Sequence, residues 1–170
     1  MPIQHRCENI PLEAGYFIAG FVDGEGNFFV SIRQRKDYLT KWKFSLTFSL
    51  GNNDRVVLNY CQKYLGCGKV RESRPGFFIL EVNNLMLLKQ QILPFFQRFQ
   101  FRSNKKRREF RIFQLLLREL DKGPILCKPR LLRFLKYREQ LGRCRKERWT
   151  HTDEIILQTF CFQNTLLLTD

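Results

Sequence analysis

Phe17-Ile-Ala-Gly-Phe-Val-Asp-Gly-Glu-Gly26 reads as an apolar helix that ends on two acids, each followed by a glycine. Phe17, Ile18, Phe21 and Val22 surround the small Ala19 and Gly20, and Gly24 follows Gly20 by one turn, so one side of the helix is almost bare. Glycine inside a helix costs roughly 1 kcal/mol relative to alanine, so two of them a turn apart imply that a second helix backbone approaches closely and offsets the penalty. At the helix end, Asp23 and Glu25 bring two carboxylates to one place. The same segment admits a plainer reading, a buried helix with a Gly-rich stop whose acids are solvated.

Working outward, Pro11 is tolerated in a first helical turn, Glu13 suits the positive end of the helix dipole, and the apolar run to Val22 stops at Gly24 and Gly26. Asn27 to Arg35 alternates, with Phe28, Val30 and Ile32 facing a core. Lys41 to Leu50 alternates again, with Trp42, Phe44, Leu46, Phe48 and Leu50 inward and Lys41, Lys43, Ser45, Thr47 and Ser49 outward. Asn53 or Asp54 caps a second helix, closed by Gly66. Two shorter strands, Lys69 to Ser73 and Phe77 to Val82, flank a Pro75-Gly76 turn. Asn84 opens an apolar helix interrupted at Pro94, and the basic Arg102 to Arg111 leads into another. After the break at Asp121 to Pro124 come a helix ending at Gly142 and a last one that starts at Thr152. The order is α-β-β-α-β-β-α followed by further helices, an α+β architecture in one domain across residues 1–170.

Thirty Lys and Arg against sixteen Asp and Glu give a net charge of +14, which favours a polyanionic partner through counterion release, nucleic acid first. No apolar run reaches the roughly 18 residues of a membrane span, and the amino terminus lacks the apolar core of a signal peptide. A soluble, intracellular protein without a membrane role is expected. The six cysteines, Cys7, Cys61, Cys67, Cys127, Cys144 and Cys161, form no CxxC pair, and His5 and His151 are the two histidines, so the cysteines are expected as reduced thiols and not as zinc ligands.

Residues Ile18 to Gly26 resemble the LAGLIDADG motif of homing endonucleases, and the motif occurs once. Further segments resemble that family in order. Phe48 to Arg55 is similar to its second-strand exit, Tyr64 to Val70 to its turn into the third strand, and Ile92 to Phe96 with the basic approach to Phe110 to its closing helix. The resemblance covers about residues 11–120, and residues 121–170 form a C-terminal helical extension. In that extension the basic run from Lys128 to Arg148 suits either DNA-backbone contact and dimer support or a solvated helix face.

The resemblance implies a sequence-specific DNA endonuclease that makes a double-strand break by divalent-metal-dependent phosphodiester hydrolysis. Glu25 would be the ligand to Mg²⁺, or to another divalent ion such as Mn²⁺, helped by the backbone at Gly24, while Asp23 holds a more structural position. Asn52 matches a residue that positions solvent. Arg55 and one of Lys105 or Lys106 match a basic pocket at the scissile phosphate, with Arg102 a further candidate. A β-ribbon fits the major groove, so specificity falls to the outer sheet face: Asn27, Ser31, Arg33, Arg35, Lys43, Ser45, Thr47, Ser49, Arg71 and Ser73, with Phe29, Phe77 and Ile79 for thymine methyls. One module carries one carboxylate, which implies a homodimer joined through Phe17, Gly20, Phe21 and Gly24 and a long, nearly palindromic double-stranded DNA target, with no small-molecule cofactor. Two alternatives share the fold: an RNA-binding intron maturase and a cleavage-inactive DNA-binding protein. Family habit points to an intron of a chloroplast, mitochondrion or prokaryote as the source.

Overall fold

The computed structural model describes residues 9–143 and 151–160. Cys7, Cys144, Cys161, His5 and the end of the basic run fall outside them. Helix α1 spans Leu12–Glu25, strand β1 Gly26–Gln34, β2 Trp42–Asn52, helix α2 Arg55–Leu65, and strands β3 and β4 Lys69–Arg74 and Phe77–Val82. Helix α3, Leu85–Leu87, runs through a π-helical turn at Leu88–Ile92 into α4, Leu93–Arg98, followed by α5, Asn104–Asp121, α6, Lys128–Arg143, and α7, Asp153–Thr159. The four strands form one antiparallel sheet in the order β1-β2-β4-β3.

Each boundary has a local cause. Asp54, the second of the two expected caps, accepts a hydrogen bond from Val56 N at 2.8 Å, and Gly66 ends α2 in the left-handed region at φ 70°. Thr152 caps α7 as expected. Three expectations need correction. Pro94 does not interrupt its helix: Leu93 N reaches back five residues to the Leu88 carbonyl, and the widened turn places Pro94, which has no N–H, at the start of α4. Lys41 is not an outward strand residue but turns the chain at φ 63°, so β2 begins at Trp42. The turn before β4 carries a bulge between Glu72 and Arg74, so β3 extends to Arg74.

The helices cover one face of the sheet. Phe28 pairs with Phe48 and Val30 with Leu46, and these four are buried together with Leu50, Leu80 and Val82. Phe28, three residues after Glu25, is fully buried and packs against the rings of Phe48, Phe96, Phe101, Phe110 and Phe113, with centroids 4.9 to 6.1 Å away. This aromatic cluster joins β1 to α4 and α5. The C-terminal extension is anchored by charge as well as by apolar packing. The Glu119 carboxylate at the end of α5 receives Lys122 at 2.9 Å, Arg130 at 3.6 Å and Arg133 at 3.7 Å, while buried Arg138 binds Asp153 at 2.9 Å. Arg130 and Arg138 are therefore not part of a solvated face. They hold the extension in place.

Helix α1 divides its small residues between two jobs. Ala14, Gly15, Ile18, Ala19 and Val22 face the protein's own core, so Ala19 does not belong to the bare side. At Gly15 a Cβ would lie 2.2 Å from the ring of Phe99, whereas at Gly20 and Gly24 it would meet nothing within 4 Å. Gly15→Ala should therefore destabilise the fold by about 1–3 kcal/mol through overpacking. Gly20→Ala should leave the stability of the isolated fold unchanged or raise it by about 0.5–1 kcal/mol. Denaturant unfolding of both variants checks the pair, and equal losses would contradict the assignment of Gly20 to an open face.

Candidate functional site

Asp23 and Glu25 leave the last turn of α1 two residues apart, about 200° around the helix, and so face opposite environments. Asp23 faces the chain segment that opens α5. One carboxylate oxygen accepts from the backbone N–H of Arg102 at 2.9 Å and of Ser103 at 2.8 Å, and the other accepts from the Ser103 hydroxyl. Ser103 Oγ in turn accepts from Lys106 N, capping α5. Desolvation pushes the Asp23 carboxyl up, but the Ser103 hydroxyl, the two backbone donors and the nearby Lys106 charge outweigh it and hold the group below its ordinary range. Glu25 is exposed and makes no hydrogen bond or ion pair among the described residues. One acid is consumed by the fold, and the other is open to a ligand.

The donor chemistry at this helix end suits a hard divalent cation. Glu25 is an open carboxylate, and two residues on, Asn27 Oδ1 is buried with no hydrogen-bond partner. Among the described residues no three His, Cys, Asp or Glu side chains cluster as a complete metal site, so the remaining ligands of such an ion would have to come from elsewhere. Cys61 is a buried free thiol and Cys127 an exposed one, and burial pushes the Cys61 thiol up to about 12.

The two lysine candidates separate clearly. Lys106 is buried, and its ammonium donates to the Gly26 carbonyl at 2.6 Å and to Glu109 at 3.1 Å, so it locks the backbone directly after Glu25. Lys105 is exposed, as is Arg102, whose carbonyl accepts from Arg107 at 2.8 Å. Because Gly26 pairs with Leu50, the ladder brings Asn52 to the same end of the sheet as Glu25. Asn52 Oδ1 accepts from Asp54 N at 2.8 Å, and Arg55 lies over the Phe78 ring at 5.7 Å.

The uncovered face of the sheet gathers the expected recognition residues. Cross-strand pairs place Asn27 with Ser49, Phe29 with Thr47, Ser31 with Ser45 and Arg33 with Lys43, while Arg71 pairs with Ile79. A concavity of about 500 Å³ is lined by Phe29, Ser31, Arg33, Arg35, Lys43, Ser45, Thr47 and Arg71, joined by Glu81 and Asn83. Thr47 is only 5% exposed and forms the floor of this surface. Ser73 is taken out of the ladder by the bulge, which sets Arg74 opposite Phe77 with its guanidinium 4.7 Å from the ring. Glu81 and Asn83, which also line the concavity, are not among the expected residues. The alternation Phe77, Ile79, Glu81 does signal the first of these, but an acid on a basic face runs against the charge argument.

The open helix side carries Phe17, 49% exposed and stacked on Phe21 at 6.0 Å, next to bare Gly20 and Gly24. Phe21 packs partly on its own core. Exposed Tyr16 on the same helix and Tyr60 on α2, which meets the Phe17 ring at 5.7 Å, widen this apolar surface beyond the expected residues.

Residues 18–115 match the LAGLIDADG endonuclease family model. The chain belongs to this family. One relative, the DNA endonuclease I-CvuI of Chlorella vulgaris, is 35% identical over 86 residues, 48% of this chain and 53% of that protein. The chain thus spans about half the length of that relative. Among solved structures, the archaeal intron-encoded homing endonuclease I-Vdi141I complexed with DNA superposes with a TM-score of 0.77 at 25% identity, over 86% of this chain and 93% of that one. I-SmaMI, bound to uncleaved DNA target in the presence of calcium ions, shares the fold with a TM-score of 0.71 at 22% identity, over 78% of this chain and 46% of that one. No helix among the described residues is long and apolar enough to cross a membrane.

The division of labour between the LAGLIDADG acids predicts opposite stability effects. Asp23→Asn should cost about 1–2 kcal/mol at neutral pH, and Glu25→Gln should cost close to nothing. Since the native Asp23 carboxyl titrates below its unfolded value, its stabilisation is complete above the unfolded value and is lost as pH falls through the native one. The gap between wild type and Asp23→Asn should therefore close below about pH 4. Lys106→Ala should cost about 3 kcal/mol and Lys105→Ala nothing measurable. Denaturant titrations across pH read all four variants.

Proposed function

We propose that the chain is a sequence-specific homing endonuclease that acts as a homodimer on a long, nearly palindromic DNA duplex and requires a divalent cation, Mg²⁺ or Mn²⁺. The observation that carries this reading is the open Glu25 carboxylate, presented beside a concave basic sheet face while its neighbour Asp23 is tied up by the fold. An unengaged acid at this position favours cleavage over the cleavage-inactive alternative, and a two-stranded ribbon facing outward favours the DNA major groove over structured RNA.

When bound, a divalent cation supplies charge neutralisation at the scissile phosphate and lowers the pKa of bound water. Glu25 would hold the ion, with the Gly24 carbonyl and Asn27 Oδ1 as further oxygen donors at the same helix end. Lys106 keeps that end rigid through the Gly26 carbonyl, so its role is positioning. Lys105, Arg102 and Arg55 are exposed cations that would neutralise phosphate charge. Asn52 Oδ1 is engaged by Asp54 N, and its amide N–H₂ would serve as the donor that positions solvent.

A single chain has one such carboxylate, and its match covers 93% of the I-Vdi141I chain but 46% of the I-SmaMI chain, which leaves room in the latter for a second module of the same size. For this chain, the second module would be another copy, joined where Gly20 and Gly24 leave α1 bare. An intron of a chloroplast, mitochondrion or prokaryote is the proposed source.

Incubation with Mg²⁺ and a library of duplexes, followed by sequencing of the cut ends, should yield one nearly two-fold site. Glu25→Gln should lower cleavage by about 100-fold or more while leaving binding intact. Gly20→Leu should abolish the dimer in sedimentation and cleavage of both strands with it. Absence of cutting at any site, or cutting undiminished in Glu25→Gln, would sink the endonuclease reading. Duplex affinity should fall steeply with salt, and a flat dependence would contradict the electrostatic basis of binding.

A further inference from the structure

The concave outer face of the sheet is lined by four cationic side chains, Arg33, Arg35, Lys43 and Arg71, and by one acid, Glu81. A carboxylate in that position repels the phosphates of a duplex, so it opposes the general attraction that the cations provide. Stability does not account for it either. Its ion pair with Arg71 joins side chains that are 57% and 25% exposed, and such surface pairs are worth about 0–1 kcal/mol.

The geometry around the carboxylate gives it another task. Oε2 accepts from an Arg71 guanidinium nitrogen at 3.1 Å, and Oε1 accepts from Asn83 Nδ2 at 3.2 Å. Glu81 sits in the ladder between Ser49 of β2 and Lys69 of β3, and Arg71, opposite Ile79, is its diagonal neighbour. Both carboxylate oxygens are thus engaged, one from β3 and one from the residue that follows β4. Arginine offers five N–H donors on a rigid plane, and tying down one nitrogen fixes the direction of the others. An untethered arginine on this surface would be free to settle on a phosphate, which adds affinity without sequence information.

We propose that Glu81 is a specificity-determining positioning residue: with Asn83 it holds Arg71 so that the free guanidinium edge meets a guanine in the major groove, and its charge keeps that arginine off the phosphates. The inference rests on the DNA-recognition reading above. It predicts effects of opposite sign in one variant. Removing the acid lowers base discrimination and leaves affinity for unrelated DNA unchanged or higher, whereas a merely structural loss would lower both.

The test uses the full chain with EDTA present, so that binding is read without cleavage. Wild-type protein first enriches its preferred duplex from a randomised library. Wild type, Arg71→Ala, Glu81→Ala and Glu81→Gln are then measured on that duplex, on its single-base variants and on an unrelated duplex. Arg71→Ala should lose preference at one base pair per half-site. Glu81→Ala should lose about tenfold of the preference at that same pair, without weaker binding to the unrelated duplex, and Glu81→Gln should recover part of it. Unchanged discrimination in Glu81→Ala, a loss at a different base pair from that of Arg71→Ala, or parallel loss of all binding in both Glu81 variants would overturn the inference alone. A wild-type protein that enriches no sequence would overturn the DNA-recognition reading beneath it as well.

Discussion

The carboxylate of Asp23 is where the fold and the site are joined. It lies at the last turn of α1 yet accepts its hydrogen bonds from Arg102 and Ser103, about eighty residues later, at the point where α5 begins. Ser103 passes the contact on by capping α5, and one turn into that helix Lys106 returns to the Gly26 carbonyl. The backbone of the motif end is therefore gripped on both sides of Glu25. A side chain that makes no hydrogen bond or ion pair of its own among the described residues is thus carried by a main chain held on both sides. The same grip sets the start of β1, so that Phe28 enters the aromatic cluster and the alternation of the strand is registered against the helices.

Registration then decides the rest. Because side chains alternate along a strand, a shift by one residue would send Phe28 and Val30 to the outer face and Asn27 and Phe29 to the core. With Phe28 buried, the outer face is committed to Asn27, Phe29, Ser31 and Arg33 on β1 and to their partners on β2. Helices cover only the inner face, and the C-terminal extension is tied to them through Glu119 and Arg138 and not spent on the outer face. A basic chain thereby keeps a concave, half-exposed surface uncovered.

The helix and strand order and the one-sided sheet were legible in the residues because each depends on local periodicity or on turn chemistry. The errors are of a different kind. The π-helical turn at Leu88–Ile92, the left-handed Lys41 and the bulge at Ser73 are one-residue adjustments of register that composition does not announce. Lys105 and Lys106 are neighbours of the same chemistry, and only the helix that carries them shows that one is buried.

By itself, then, the sequence determined that an α+β module of this family would form, which face of each strand would be apolar, and that its motif would leave a helix with bare glycines. Tertiary structure alone decided which glycine serves the core, since Gly15 and Gly20 differ only by the presence of the Phe99 ring. It alone set Glu81 and Asn83 around Arg71, and turned Arg130 and Arg138 inward. Periodicity tells a residue which way to face, whereas its partner is chosen by distant segments that meet only when the chain is folded.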